Sequence, residues 1–237
     1  MEEITTQLIP YEDMLKAGMH FGRKKTVFNP GMGKYVFTVR DGICIIDLLK
    51  TQDQLKEAID FLKKNVQEGK LVLLVAPTKQ SSESVKALAL DLGMPYVLDR
   101  WLGGTLTNFK VINSRVKHLE EMERQRATGA LDKYTKKERL LFDRLLAKMS
   151  RNFEGLKKLT RIPDAMFVTS LREGQLPIKE AQAMGVKVVG IANTDANPKT
   201  INYVIPANDR SKKSVDLLVE RISLELKSVV PVSSPKV

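Results

Sequence analysis

Short apolar runs alternate with amphipathic segments along most of this 237-residue chain. The clearest run, LVLLVA at 71–76, is continuous, as expected for a strand that is covered by helices on both faces. Similar strand-like runs occur at 95–98, 164–170, 186–192 and 201–206. Because parallel strands that alternate with helices are joined by crossover connections, this order predicts an α/β fold with a Rossmann-like, doubly wound and mainly parallel sheet.

Turn and capping residues predict the other elements. The β-rich runs 35–39 and 43–47 are separated by a short turn and predict two further strands. Thr51 and Gln54 have the spacing of a capping box and predict a helix that ends near Gly69. The same signals predict three more helices, over about 79–92, from Pro177 to Gly185, and from Asn208 over about 209–228.

A segment without any strand signal, 106–159, divides the two halves of this pattern. Its apolar residues recur in steps of three or four, a spacing typical of a coiled-coil seam. TGALDKYT at 128–135 interrupts the spacing, and Thr135 with Glu138 forms a second capping-box pair. The segment therefore predicts two long antiparallel helices. The expected seam consists of Leu106, Phe109, Ile112, Val116, Leu119 and Met122, followed by Phe142, Leu145, Met149, Phe153, Leu156 and Leu159.

These patterns predict a core domain that is interrupted by one insertion. We expect 1–104 and 162–228 to form the α/β core, 105–161 to form an inserted coiled-coil hairpin, and 229–237 to be a flexible tail.

Positive charge is concentrated on the predicted hairpin. The chain has a formal net charge of +11, and 14 Lys and Arg stand against 7 Asp and Glu between Arg115 and Arg161. Lys133, Lys136 and Lys137 surround the predicted tip. A solvated helical face and a hairpin that binds another protein are the alternatives. We favour contact with nucleic acid, because the excess charge is confined to one projecting element.

The sequence offers no identifiable catalyst. No glycine follows the strand at 43–47, so the dinucleotide fingerprint is absent, and GMGK at 31–34 lacks the rest of a Walker loop. His20 and His118 are the only histidines, and no nucleophile elbow occurs. The run APTKQSSES at 76–84 keeps a sugar-phosphate or nucleotide-binding enzyme open as an alternative, because a helix N-terminus can hold a phosphate.

Other features suggest the cytoplasm. The acidic N-terminal stretch lacks the apolar segment of a signal peptide, and the longest apolar runs are too short to span a membrane. The single cysteine, Cys44, excludes an internal disulfide and lies within the apolar run ICII, where a buried strand residue is expected.

We expect no cofactor, with one candidate metal site to be tested. Asp195 and Asp209 both follow predicted strands, so with His20 they could hold a structural divalent metal. In the simpler interpretation, which we prefer, Asp195 forms a turn and the charge of Asp209 stabilises a helix N-terminus.

The stretch DRWLGGTLTNFK at 99–110 combines glycines with flanking cations. Gly103 and Gly104 would allow close approach of the backbone, and the N–H groups at the start of the next helix could face a phosphate. Arg100 and Lys110 would add charge-assisted contacts.

Further side chains extend this candidate interface. Asn108 could reach a sugar or a base edge, and Trp101 either stacks on an unpaired base or packs in the core. Arg23, Lys24 and Lys25 are expected in a loop that contacts a nucleic-acid backbone. The residues expected to contact nucleic acid are Arg23, Lys24, Lys25, Arg100, Trp101, Gly103, Gly104, Asn108, Lys110, Arg115, Lys133, Lys136 and Lys137.

Several blocks resemble the family of small-ribosomal-subunit protein two. They are AGMHFGRKKTVFNPGM (17–32), GICIIDLLKT (42–51), RWLGGTLTNF (100–109), PDAMFVTS (163–170), IKEAQAMGVKVVGIANTDANP (178–198) and NYVIPANDRSKKSV (202–215). The resemblance implies a Rossmann-like sheet with an inserted helical hairpin and a non-catalytic component that binds small-subunit ribosomal RNA in the cytoplasm. It further implies a position between head and body, contacts with neighbouring ribosomal proteins, docking of ribosomal protein one where that partner exists, and no homo-oligomer.

Four positions depart from the family pattern. Arg23 replaces a histidine, Asn193 and Asn197 stand where aspartates are common, and Arg210 replaces an acid. These substitutions remove metal ligands and add positive charge, so they weaken the expectation of a metal.

Overall fold

The computed structural model describes residues 8–98, 100–129 and 134–229. Its strands are β1 (Phe21–Lys24), β2 (Val36–Arg40), β3 (Ile43–Ile46), β4 (Val72–Ala76), β5 (Tyr96–Leu98), β6 (Ala165–Val168), β7 (Lys187–Ala192) and β8 (Tyr203–Pro206). Its α-helices are α1 (Tyr11–Lys16), α2 (Leu48–Gln67), α3 (Lys79–Asp91), α4 (Phe109–Ala127), α5 (Lys136–Phe153), α6 (Gln175–Ala183) and α7 (Lys212–Lys227).

The large sheet contains five parallel strands in the order β5-β4-β6-β7-β8. One row of paired residues crosses it, consisting of Tyr96, Leu74, Phe167, Val189 and Tyr203. The chain reverses its direction of travel across the sheet between β4 and β6, which is the switch point of a doubly wound fold. The predicted fold class is confirmed.

Helices cover both faces of this sheet. The face that carries Leu74 and Phe167 packs against α2, α3 and α7. The opposite face, which carries Leu73 and Val75, packs against α4, α6 and the end of α5. All five residues of β4 are buried, because neither face is open to solvent.

A small antiparallel sheet, in the order β1-β3-β2, lies beside the large one. Its turn places Asp41 and Gly42 at positive φ, 50° and 72°. The small sheet approaches the loop after β7 so closely that a Cβ at Gly22 would lie 2.6 Å from Cγ2 of Thr194. Arg23 belongs to β1, so the expectation that the basic cluster at 23–25 forms a loop is wrong.

Three helix boundaries also differ from the expectation. Asp47, not Thr51, caps α2, because its side chain accepts a hydrogen bond from the N–H of Leu49. Thr51 lies inside the helix and donates to the carbonyl of Pro206 over 2.7 Å. The sixth helix begins at Gln175, before Pro177, and Ser211 caps α7. Capping preferences alone do not tell which of several neighbouring polar residues caps a helix. Tertiary contacts decide which residue does.

The helices α4 and α5 occupy the segment that has no strand signal, and they run in opposite directions. Arg126 pairs with Asp143 over 3.3 Å, whereas Glu123, one turn earlier, pairs with Lys157 over 2.6 Å. The capping box of Thr135 and Glu138 is present as predicted. Lys133, at the predicted tip, lies outside the described residues.

The buried seam of α5 differs from the predicted one at one position. Leu146 is 5% exposed, whereas Leu145, which the spacing selected, is 48% exposed. With Leu146 in the seam, the steps from Phe142 to Phe153 become a regular four, three and four, so no stutter is needed. The seam shares one core with a face of the large sheet. A continuous coiled coil and the proposed domain division both stay predictions.

This difference between neighbours predicts two unequal mutations. Leu146→Ala should lower the free energy of unfolding by about 2–4 kcal/mol, because it leaves a cavity in the core. Leu145→Ala should change it by less than about 1 kcal/mol, because that side chain is half exposed. Urea unfolding of the two variants measures the difference, and equal losses would contradict the assigned seam.

Candidate nucleic-acid interface

A buried carboxylate organises the glycine corner, which we define as residues 100–108. Glu180 of α6 is 7% exposed and accepts hydrogen bonds from the backbone N–H groups of Gly104 at 2.8 Å and Leu106 at 3.0 Å. It also accepts from the indole nitrogen of Trp101 at 3.0 Å and from both the N–H and the hydroxyl of Thr107 at 3.4 Å. Gly104 adopts a φ of +87°, which side chains disfavour, and this turns the backbone toward the carboxylate.

This arrangement corrects the expectation that the backbone around Gly104 approaches a phosphate, whereas the expectation for the N–H groups at the start of α4 stays a prediction. The N–H groups of Gly104, Leu106 and Thr107 point at an internal carboxylate, so they are not available to an RNA phosphate. Convergent N–H groups do hold an anion here, but that anion is a carboxylate of the protein itself.

The hydrogen bonds also set the charge of Glu180. Burial by itself would raise the pKa of this carboxyl group. Donation from Trp101, Leu106, Gly104 and Thr107 outweighs burial and lowers the pKa of Glu180 below its ordinary value. The carboxylate is therefore ionised at neutral pH and attracts all of its donors.

Trp101 donates a hydrogen bond within the glycine corner and also lines a cavity. Its indole N–H is held by Glu180, and its ring packs against the core that α4 and α5 share with the sheet. The ring is nevertheless only partly buried and borders a cavity beside Arg100. Asn108 and Lys110, at the start of α4, are both exposed, and the side chain of Asn108 makes no capping hydrogen bond.

An exposed row of cations runs along α5. Lys137, Arg144 and Lys148 follow each other at steps of seven and four residues, so they lie on one side of the helix over about 16 Å. No carboxylate of the described residues lies within 4.0 Å of their side-chain nitrogens. The two acidic residues of α5 are engaged elsewhere, Glu138 with Thr135 and Asp143 with Arg126.

We call Lys137, Arg144 and Lys148 the basic row. The predicted residues Lys136 and Arg115 are also exposed, on α5 and α4 respectively. The sequence prediction named Lys137 and did not include Arg144 or Lys148. A seven-residue spacing of cations along the amphipathic pattern could have identified Arg144.

The predicted contact residue Arg23 is partly committed to an internal ion pair. Its Nε lies 3.2 Å from Oδ2 of Asp195, and Nη1 of Arg172 lies 2.7 Å from the same oxygen. The Asp195 side chain is 2% exposed, so the guanidinium groups shield it from solvent. Lys24 and Lys25 are exposed on the small sheet and the turn that follows.

The residues proposed for a metal do not fit one. Asp195 is neutralised by two arginines, and Asp209 accepts from the hydroxyl of Ser170 at 2.6 Å. Burial raises the pKa of Asp209, so this carboxyl group disfavours the charged form that would bind a cation. Within the described ranges, no three His, Cys, Asp or Glu residues form a group that could hold a metal ion.

The fold and the charge distribution together define a basic, doubly wound α/β protein with a pair of charged antiparallel helices. Residues 14–227 match the family model described as Ribosomal protein S2. The chain therefore belongs to the ribosomal protein S2 family, whose members are structural, non-enzymatic proteins of the small ribosomal subunit. The alternative of a sugar-phosphate or nucleotide-binding enzyme is accordingly wrong.

Individual relatives agree with this assignment. The chain is 41% identical to small ribosomal subunit protein uS2 of Fusobacterium nucleatum subsp. nucleatum over 217 residues, which cover 91% of this chain and 88% of the relative. It is 39% identical to the protein of the same name from Parabacteroides distasonis, over 90% of this chain and 77% of the relative. The uS2 of Francisella tularensis subsp. novicida is also 39% identical, with coverages of 90% and 89%.

No helix in the described part of the chain is long and apolar enough to cross a lipid bilayer.

The buried carboxylate predicts a pH-dependent loss on mutation. At pH ~7, Glu180→Gln should lower the free energy of unfolding by about 2–3 kcal/mol, because an uncharged amide cannot accept from all the donors. The stabilisation from a lowered carboxyl pKa is present above the ordinary pKa and is lost as the pH falls through the lowered one. The difference between wild type and variant should therefore shrink toward pH ~3 in urea unfolding.

Glu220→Gln on α7 is the matched control, because Glu220 is exposed. It should unfold like the wild type at both pH values. If Glu180→Gln behaved in the same way, the carboxylate would not organise the corner.

Proposed function

We propose that this protein binds small-subunit ribosomal RNA and that the basic row carries a central part of that contact. Family membership supports the small subunit as the place of action. The observation that favours this face is that Lys137, Arg144 and Lys148 point outward with no acidic partner among the described residues. A cation without an internal partner gains the most binding free energy from a phosphate, since no salt bridge within the protein has to be broken first.

The other predicted contacts are assigned to a supporting role. Lys24, Lys25, Lys110, Arg115 and Lys136 are exposed and cationic, so they are suited to RNA backbone contacts. Recognition in this proposal depends on shape and phosphates more than on base identity, as is usual for folded RNA.

We further propose a structural role between head and body of the subunit, in the cytoplasm, for which a rigid core is suited. The α/β core forms a rigid support, because its sheet is buried on both faces. On that support, α4 and α5 carry exposed cations. We propose that this combination lets one copy of the protein connect separate RNA helices and neighbouring ribosomal proteins.

Charge reversal tests the basic row. The triple variant Lys137→Glu, Arg144→Glu and Lys148→Glu should bind small-subunit RNA more weakly than the wild type. Its slope of log affinity against log salt should fall by roughly 2 to 3 units, because about three phosphate contacts are lost. Fluorescence anisotropy of labelled RNA over a salt series measures both quantities, and gradient sedimentation measures incorporation into small subunits.

A second triple variant controls for net charge. Lys56, Lys64 and Lys86 are exposed on α2 and α3, on the other side of the sheet from α4. Replacing all three by glutamate changes the charge equally but should leave most of the affinity and the slope intact. If both triple variants lost affinity equally, the contact would not be specific to α5.

We further propose that the small sheet docks ribosomal protein one in bacteria that have it. Phe37 of β2 is 74% exposed, and Phe21 of β1 and Val39 of β2 are 47% and 43% exposed. The pairing of Phe21 with Ile45 and of Val39 with Cys44 places Phe21 and Val39 on opposite faces of the small sheet, so the proposal rests on Phe37, the most exposed of the three. This surface is separate from the cations of α5, so one protein could bind RNA and a protein at the same time.

The docking proposal predicts a selective loss. Small subunits reconstituted with Phe37→Asp should retain this protein but release ribosomal protein one, as measured by co-sedimentation. The matched control is Leu224→Asp, at a site 55% exposed on α7. Retention of ribosomal protein one by the Phe37 variant would contradict the proposal.

A further inference from the structure

The cavity beside Trp101 lies at the carboxyl ends of β4 and β5. It has a volume of about 300 Å³, the lower end of the range typical of ligand pockets. Its floor contains the buried side chains of Val75 and Val97 together with Pro177. The position is next to the switch point between β4 and β6, where doubly wound sheets place their ligands.

The ring of Trp101 lines this cavity in a fixed orientation. Its N–H is bound to the carboxylate of Glu180, which the backbone of the glycine corner holds in turn. A stacking surface that is already oriented loses little conformational entropy when a ligand binds. The hydrogen bond therefore makes Trp101 better suited to bind a flat ring than a freely rotating side chain would be.

Two opposite charges line the same cavity. Arg100 is exposed, and no carboxylate of a described residue lies within salt-bridge distance of it. Glu173 is also exposed, and its carboxylate has no ion-pair partner among the described residues. A cation beside an aromatic ring suits a phosphate next to a base, and a carboxylate can accept from an amino group on a base edge.

We propose that this cavity holds one unpaired nucleotide of the bound RNA. The base stacks on Trp101 above the apolar floor, its amino group donates to Glu173, and a flanking phosphate contacts Arg100. Unpaired bases are the part of an RNA that proteins read by stacking and edge contacts. The inference depends on the proposed RNA-binding function. It adds a site for an unpaired nucleotide, separate from the phosphate contacts of the basic row.

Trp101 is the only tryptophan of the chain, so the intrinsic fluorescence of the full-length protein reports on this cavity. A 10-nucleotide single-stranded RNA of mixed sequence should quench this fluorescence to saturation. The blunt duplex of the same sequence should bind with little quenching, because its bases stay stacked. Equal quenching by both RNAs, or quenching by neither, would overturn the proposal.

A blocking variant tests the entrance. Leu176 lines the cavity and is 48% exposed, so Leu176→Glu should fold normally while its charge repels the nucleotide. We expect the affinity for the single strand to fall roughly tenfold or more, the loss typical of one base–aromatic stack. Leu224→Glu is the matched control on α7. Equal affinity and quenching in the two variants would overturn the site.

The cavity proposal can fail separately from the RNA-binding proposal. Anisotropy of labelled small-subunit RNA measures total binding, whereas Trp101 fluorescence measures occupancy of the cavity. Salt-dependent binding without any response of Trp101 would reject the cavity and leave the basic row in place. Absence of salt-dependent binding would reject both.

Discussion

The Glu180 carboxylate is the interaction on which the rest of this structure depends. A buried charge is costly unless donors surround it, and here the chain supplies backbone N–H groups, a hydroxyl and an indole. Those donors belong to the segment that leads into α4. One side chain of α6 therefore fixes where the long helices leave the sheet and which way the Trp101 ring faces.

Charge is divided between internal and external roles in this protein. Arg23 and Arg172 neutralise the buried Asp195 and thereby connect the small sheet to the loop after β7. The cations of the basic row on α5 have no acidic partner among the described residues. The number of cations in the sequence does not reveal this distinction, whereas the burial and ion pairing of each side chain do. Only around cations of the second kind is the attraction to a polyanion not offset by a paired carboxylate.

Physical reasoning on the sequence recovered the elements that periodicity governs. The continuous run at 71–76, the capping box of Thr135 and the spacing of apolar residues from 106 to 159 have local causes, so they predicted β4, α5 and the helical pair. Leu145 and Leu146 show the limit of this approach. Both fit a helical period, and the choice depends on which side faces the sheet.

The sequence by itself determined an α/β chain with a basic helical pair between its strands, because hydrophobic period and charge are properties of the order of residues. Only the tertiary structure decided that the RWLGG corner surrounds a carboxylate from a helix more than 70 positions later. It also decided that Asp195 pairs with Arg23 and Arg172. Such partners meet through the packing of distant segments, and that packing depends on interactions across the whole fold that no local pattern contains.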